Sequence, residues 1–141
     1  DPGNLGTIIR SAEASGASGV VCCDGTVDVY NPKTIRSSAG AVFHAPIVAG
    51  GTPADVVGRL NAAGVRVVAT AAAGGDDYTA VDLTGPLALV LGNEAHGLPA
   101  GLAVDLTVTI PIFGRAESLN VAVAASLLCF EAARQRRGAP C

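Results

Sequence analysis

The sequence contains neither methionine nor tryptophan, and only three phenylalanines and two tyrosines. Few aromatics together with eighteen glycines point to small side chains and tight connections, as in α/β folds whose helices and strands approach closely. A run of about 18 apolar residues is missing, so no membrane-spanning helix is visible. The opening Asp1-Pro2-Gly3-Asn4 carries no secretory signal pattern, and the expected location is cytoplasmic. Positive charge is scarce as well, with nine Lys and Arg against twelve Asp and Glu and a formal net charge of −3. A nucleic-acid surface is ordinarily basic, because phosphate contacts supply most nonspecific affinity. The four cysteines lack metal-ligand or redox spacing: Cys22 and Cys23 are adjacent in an apolar stretch, Cys129 lies in another, and Cys141 is terminal. Cys22, Cys23 and Cys129 read as small buried hydrophobes. His44 and His96 have no ligand spacing either, and no metal site is expected.

What is present is a chain of 141 residues, half of them apolar, the size of one domain with a packed core. Helical and apolar segments alternate, the pattern of a mostly parallel sheet flanked by helices. The first helix is expected near Asn4, a good N-cap, with Gly16 as its C′ residue and an apolar face through Ile8 and Ala12. Strands are expected at 19–23, 47–49, 65–70, 87–91 and 106–110, the fourth central and buried because it is wholly apolar between Pro86 and Gly92. Asn31-Pro32 predicts a short helix through Ser38, residues 53–63 an amphipathic helix, and 74–77 a loop. A long helix is expected over 118–137, almost entirely apolar from Val121 to Phe130, so it must be covered on more than one side.

Three short stretches stand out, N-L-G-T-I-I-R (Asn4 to Arg10), L-G-N-E-A-H-G (Leu91 to Gly97) and E-S-L-N-V-A-V-A (Glu117 to Ala124). Each alone is weak, since glycines and small polar residues recur at element ends. Arg10 could form an exposed i, i+3 pair with Glu13. Asn4 and Ser118 could simply cap helices, whereas Asn120 inside an apolar helix needs a partner if buried, since an unsatisfied amide costs about 1–3 kcal/mol. Order and spacing together carry more weight.

In that order and spacing the stretches resemble the signature motifs of the SpoU/TrmH-type RNA ribose methyltransferases, from Asp1 to about Arg136. The resemblance implies an enzyme that uses S-adenosylmethionine, without metal, to methylate a ribose 2′-hydroxyl in ribosomal or transfer RNA. It also implies a C-terminal deep trefoil knot, a topology almost absent from proteins in general, and a homodimer through the last helix. The catalytic positions implied are Arg10, Asn4, Glu94, Ser118 and Asn120. The cofactor-binding positions implied are Leu91, Gly92, Asn93, Gly97, Ile110 and Leu119, largely through the main chain, with Thr70 beside them. Ser38 and Gly40 fall in a stretch that resembles the family's connecting region on the RNA side. Arg10 is better suited to grip a phosphate and support a developing alkoxide than to act as a base, because a guanidinium has no acceptor lone pair. The acidic net charge implies that RNA is held largely by something else, and an RNA-binding domain upstream of Asp1 is expected. A noncatalytic RNA- or cofactor-binding relative and a base-modifying knotted methyltransferase are the alternatives.

Overall fold

A computed structural model describes residues 1–93 and 96–139. The chain divides into two compact units, Asp1–Thr52 and Pro53–Cys141. Every strand pairing in both units is parallel. The fold is α/β, with parallel sheets and flanking helices, as the alternating pattern predicts.

The first unit opens with α1 (Pro2–Ala14). Its cap is Asp1 rather than Asn4, and the carboxylate accepts from the Gly3 and Asn4 N–H groups at 2.6 and 3.1 Å. Pro2 explains the earlier start: proline is tolerated at the first helical position, so the cap must stand just before it. The buried stripe then runs Leu5, Ile9, Ala12, with Ile8 only half-buried. Strand β1 (Val20–Cys22), helix α2 (Pro32–Ser37), a 3-10 turn (Ala41–Phe43) and β2 (Ile47–Ala49) follow. Asn31 caps α2 by accepting from Lys33 N–H at 2.9 Å, as its sequence predicts. Leu5, Ile9, Cys22, Val29, Ala41 and Val42 form the core between the helices and the β1–β2 pair.

Helix α1 meets α2 at Gly6. A Cβ there would lie 2.5 Å from the Thr34 carbonyl oxygen and 2.8 Å from the Ser38 nitrogen, closer than any real side chain approaches. The glycine of the first motif therefore sets how near the two helices come. Ser38 is fully buried and its hydroxyl donates to the Ile35 carbonyl at 2.8 Å, which gives it a place in packing rather than on a surface. Gly40 begins the 3-10 turn with a φ of +86°, a left-handed conformation that favours glycine.

The second unit contains α3 (Pro53–Ala62), β3 (Arg66–Thr70), β4 (Asp76–Asp77), β5 (Leu87–Val90), β6 (Leu106–Thr109) and α4 (Val121–Gly138). Its sheet order is β4-β6-β3-β5. Two expectations are corrected here. Within this sheet β5 lies at an edge and is half-buried throughout, while β3 is interior, with Val67, Val68 and Ala69 buried. An unbroken apolar run reports cover on both faces, not position in the order. Residues 76–77, expected as loop, form a short strand because their backbone pairs with Val108 and Thr109.

Helix α4 buries Ala122, Ala125, Leu128 and Ala132. Together with Val68, Leu83 and Val108, Leu128 and Ala132 make the second core. The last turns of α4 also hold the preceding loop through hydrogen bonds. Gln135 Oε1 accepts from the buried Leu83 N–H at 2.7 Å, and Gln135 Nε2 donates to the Val81 carbonyl at 3.0 Å and to Glu131 at 2.9 Å. Arg134 completes the cluster with two bonds to the Glu131 carboxylate, at 2.8 and 2.7 Å.

Two outcomes follow from this packing. Gly6→Ala should lower unfolding free energy by about 2–3 kcal/mol, the cost of forcing a methyl into a closed backbone contact, measurable by urea denaturation. Hydrogen bonds from Arg134, then Gln135, hold the Glu131 carboxyl at about 2, down from 4.5. The unfolded chain then binds more protons in that interval, so the contribution is complete above pH 4.5 and is lost as pH falls toward 2. Thermal melts across that interval should show a shallower acid loss in Glu131→Gln than in the parent.

Candidate cofactor cleft and catalytic residues

Parallel sheets offer ligand sites at the carboxyl ends of their strands. In the second unit that end opens a cleft of about 430 Å³. One wall is Ala69, Thr70, Ala71 and Ala72 where β3 ends, with Thr107 of β6; the other is formed within 97–104, by Gly97, Leu98, Pro99, Gly101, Leu102 and Val104. The lining is mostly apolar with a few hydroxyl and backbone groups. Such a lining suits a nucleoside, whose flat base wants apolar contact and whose edges want a small number of directed hydrogen bonds.

Thr70 and Gly97 are the sequence-predicted cofactor positions that line this cleft. The Thr70 hydroxyl donates to the Val90 carbonyl at 3.3 Å and so ties β3 to β5 at the cleft's rim. Asn93 and Gly97 exchange both backbone hydrogen bonds, at 3.0 and 2.7 Å, closing a narrow hairpin just after β5. Gly92 lies against that hairpin: a Cβ on it would be 2.7 Å from the Gly97 carbonyl carbon. Its glycine is needed by the loop itself, which in turn sets Gly97 at the cleft. Leu91 is half-buried at the carboxyl end of β5, Ile110 packs against the second core, and Leu119 is exposed ahead of α4; these three do not line the cleft. Residues 98–104 were missed in the sequence, where a Leu-Pro-Ala-Gly-Leu segment signals only an apolar turn. Its proximity to β3 is a tertiary fact.

The catalytic candidates divide between the units. In the first, Arg10 is exposed on α1 and forms no ion pair among the described residues, so the Arg10–Glu13 pair that the spacing allows is not made. Asn4 is half-buried in the first turn of the same helix. In the second, Asn120 is the N-cap of α4 rather than a residue inside it, and its side-chain oxygen accepts from Ala122 and Val123 N–H at 2.8 and 3.3 Å. Ser118, expected to open the helix, precedes it in an exposed segment. The helix starts later because Asn120 offers the better cap, at φ −55° and ψ 137°. Glu94 lies outside the described residues. His96 is exposed in the loop after β5.

The thiols contribute little reactivity. Burial, then the neighbouring Cys23, pushes Cys22 above its ordinary value, and burial, then Asp24, does the same to Cys23. Both stay protonated at neutral pH. Among the described residues no group of three or more His, Cys, Asp or Glu is placed to hold a metal, and no helix is long and apolar enough to cross a membrane.

The family model described as SpoU rRNA Methylase matches residues 1–130, covering all three motifs and the cleft. The chain belongs to the SpoU rRNA methylase family. A Bacillus subtilis relative named 23S rRNA (guanosine(2553)-2'-O)-methyltransferase is 47% identical over 132 residues, which is 92% of this chain and 53% of that protein. A Streptomyces viridochromogenes relative named 23S rRNA (uridine(2479)-2'-O)-methyltransferase is 44% identical, over 96% of this chain and 50% of its own length. The crystal structure of the SpoU methyltransferase AviRb from Streptomyces viridochromogenes with its cofactor AdoMet superposes with a TM-score of 0.91 at 40% identity, covering 99% of this chain and 58% of that one. An AdoMet-bound rRNA methyltransferase from Sinorhizobium meliloti gives 0.89 at 46% identity, covering 95% and 52%. This SpoU domain thus spans about half the length of the curated relatives it matches.

Loss of the cap checks the new assignment of Asn120. Asn120→Ala should destabilise the second unit by about 1 kcal/mol in urea denaturation, with Asn120→Asp close to the parent.

Proposed function

We propose that this SpoU domain is the catalytic domain of a cytoplasmic RNA ribose 2′-O-methyltransferase acting on ribosomal RNA, with S-adenosylmethionine as methyl donor. Residues 1–141 act as the methyltransferase part of a longer protein, whose remainder supplies most of the RNA affinity that an acidic chain lacks. The observation that carries the reading is the nucleoside-sized cleft at the carboxyl end of β3, beside Thr107 of β6, in a chain whose three motifs all lie within the family match.

The second unit is assigned the cofactor. Thr70 and the backbone around Gly97 would orient its adenosine, with Leu98 and Leu102 against the base; main-chain contacts from Leu91, Asn93, Ile110 and Leu119, which lie outside the cleft's lining, are proposed from the family resemblance alone. When bound, the cofactor supplies a methyl group on a positively charged sulfur. The first unit is assigned the RNA. Arg10 presents five N–H donors and a fixed positive charge, and so holds a phosphate beside the target ribose and lowers the energy of the 2′-oxygen as its proton leaves to water or that phosphate. Proximity and orientation do the remaining work. Asn4, Glu94, Ser118 and Asn120 are proposed to complete the polar surroundings of the reaction, and the family's knot is proposed for the C-terminal segment.

Helix α4 supports a homodimer. Val123, Leu127 and Phe130 recur at i, i+4 and i+7 and are 47%, 39% and 48% exposed, an apolar stripe that a second copy of the helix would cover.

Calorimetric titration with S-adenosylhomocysteine tests the cofactor assignment. One saturable site per chain is expected, and Ala71→Leu, which crowds the cleft wall, should weaken binding at least tenfold. Absence of binding by the folded parent would refute the reading. Arg10→Ala should bind S-adenosylhomocysteine like the parent yet lose about 10²-fold or more in methyl transfer to RNA. The position of the methyl group is read by resistance of the modified linkage to alkali, since a blocked 2′-oxygen cannot attack the adjacent phosphate.

A further inference from the structure

The first unit has a cleft of its own, apart from the one proposed for the cofactor. It measures about 320 Å³ and opens at the carboxyl ends of β1 and β2. Val27, Val29, Ile47 and Ala49 supply apolar surface, Tyr30 an aromatic wall, and Asp24 and Asp28 the charge. Tyr30 is 63% exposed, unusual for a ring that could have joined the adjacent core.

The geometry points to a base-binding site: we propose that this cleft receives a guanine of the RNA substrate, stacked on Tyr30 and hydrogen-bonded along its Watson–Crick edge to Asp24. The inference rests on the reading of the chain as an RNA methyltransferase. RNA is read through unpaired bases stacked on aromatic rings and hydrogen-bonded along their edges. The chemistry selects the base. Guanine alone presents two adjacent donors on that edge, N1–H and the 2-amino group. Adenine and cytosine place an acceptor beside their amino group, and uracil flanks its one donor with two acceptors, so each would set an oxygen or lone pair against a carboxylate. A phosphate is repelled outright.

The two carboxylates have different parts. Neither oxygen of Asp24 accepts a hydrogen bond among the described residues, while its backbone N–H is fixed to the Gly51 carbonyl at 2.9 Å. A bidentate acceptor is thus free and anchored. Asp28 is a positioning residue: its Oδ1 accepts from Tyr30 N–H at 2.9 Å, which holds the aromatic residue at the rim. Three residues beyond Tyr30, Lys33 pairs with Asp1 at 3.4 Å, at the start of the helix that carries Asn4 and Arg10.

The test is a nuclear magnetic resonance titration of the isotope-labelled chain with the tetraribonucleotides UUGU, UUAU, UUCU and UUUU, and with guanosine monophosphate. UUGU should shift the amides of Thr26, Asp28, Tyr30 and Gly50 at about tenfold lower concentration than the other three, the scale of one bidentate contact. Asp24→Asn, which turns a donor toward a donor, should erase that preference. Tyr30→Ala should weaken all four oligonucleotides while Tyr30→Phe retains them. Equal response to all four, or a guanine preference that survives Asp24→Asn, overturns the proposal. Guanosine monophosphate binding as tightly as UUGU assigns the cleft to a free nucleotide and overturns the RNA source. S-adenosylhomocysteine titrated into the same samples keeps the failures apart, because the cleft proposed for it lies in the other unit.

Discussion

The second unit depends on the backbone of β3 being paired along both edges. Val67 and Val68 are wholly buried, out of reach of water, so their N–H and carbonyl groups must be satisfied by neighbouring strands. β5 serves one edge and β6 the other, both in parallel. The cleft of the second unit sits where this doubly paired strand ends. One of its walls begins in the sheet, at Ala69 and Thr70, whereas the wall formed within residues 97–104 is built from turns.

Much of this was legible from local chemistry. The α2 helix follows from Asn31 and Pro32, and strands β1, β2, β3, β5 and β6 fall within a residue or two of their apolar runs. Misjudgements arose where two local rules competed. Asn4 is a good cap, yet Pro2 demands one earlier, and Asp1 supplies it. Ser118 and Asn120 both suit a helix start, and only the backbone angles decide for Asn120. Sheet order and the cleft wall at 98–104 were invisible for another reason. They depend on which segments meet in space, and no periodicity encodes that.

The site glycines show a related limit. A glycine at 92 or 6 reads as permission for a ligand or a turn, but in both places the atom that would collide with a side chain belongs to the protein. Gly6 admits a helix and Gly92 admits a hairpin. Such positions act through packing, by setting where the α1 helix and Gly97 are placed. Motif membership alone does not separate the two roles.

Asp105 closes the ladder at the start of β6 in a way that bears on how the sheet assembles. Its N–H donates to the Val67 carbonyl at 2.9 Å, and its side chain accepts from the Val67 N–H at 2.7 Å, so one residue substitutes for a whole rung. Sliding β6 by a single position would break both bonds and turn Leu106 and Val108 to the opposite face. The carboxylate thus proofreads alignment. Val104 and Thr107, on either side of Asp105, line the cleft, so the cleft's shape rests on that alignment.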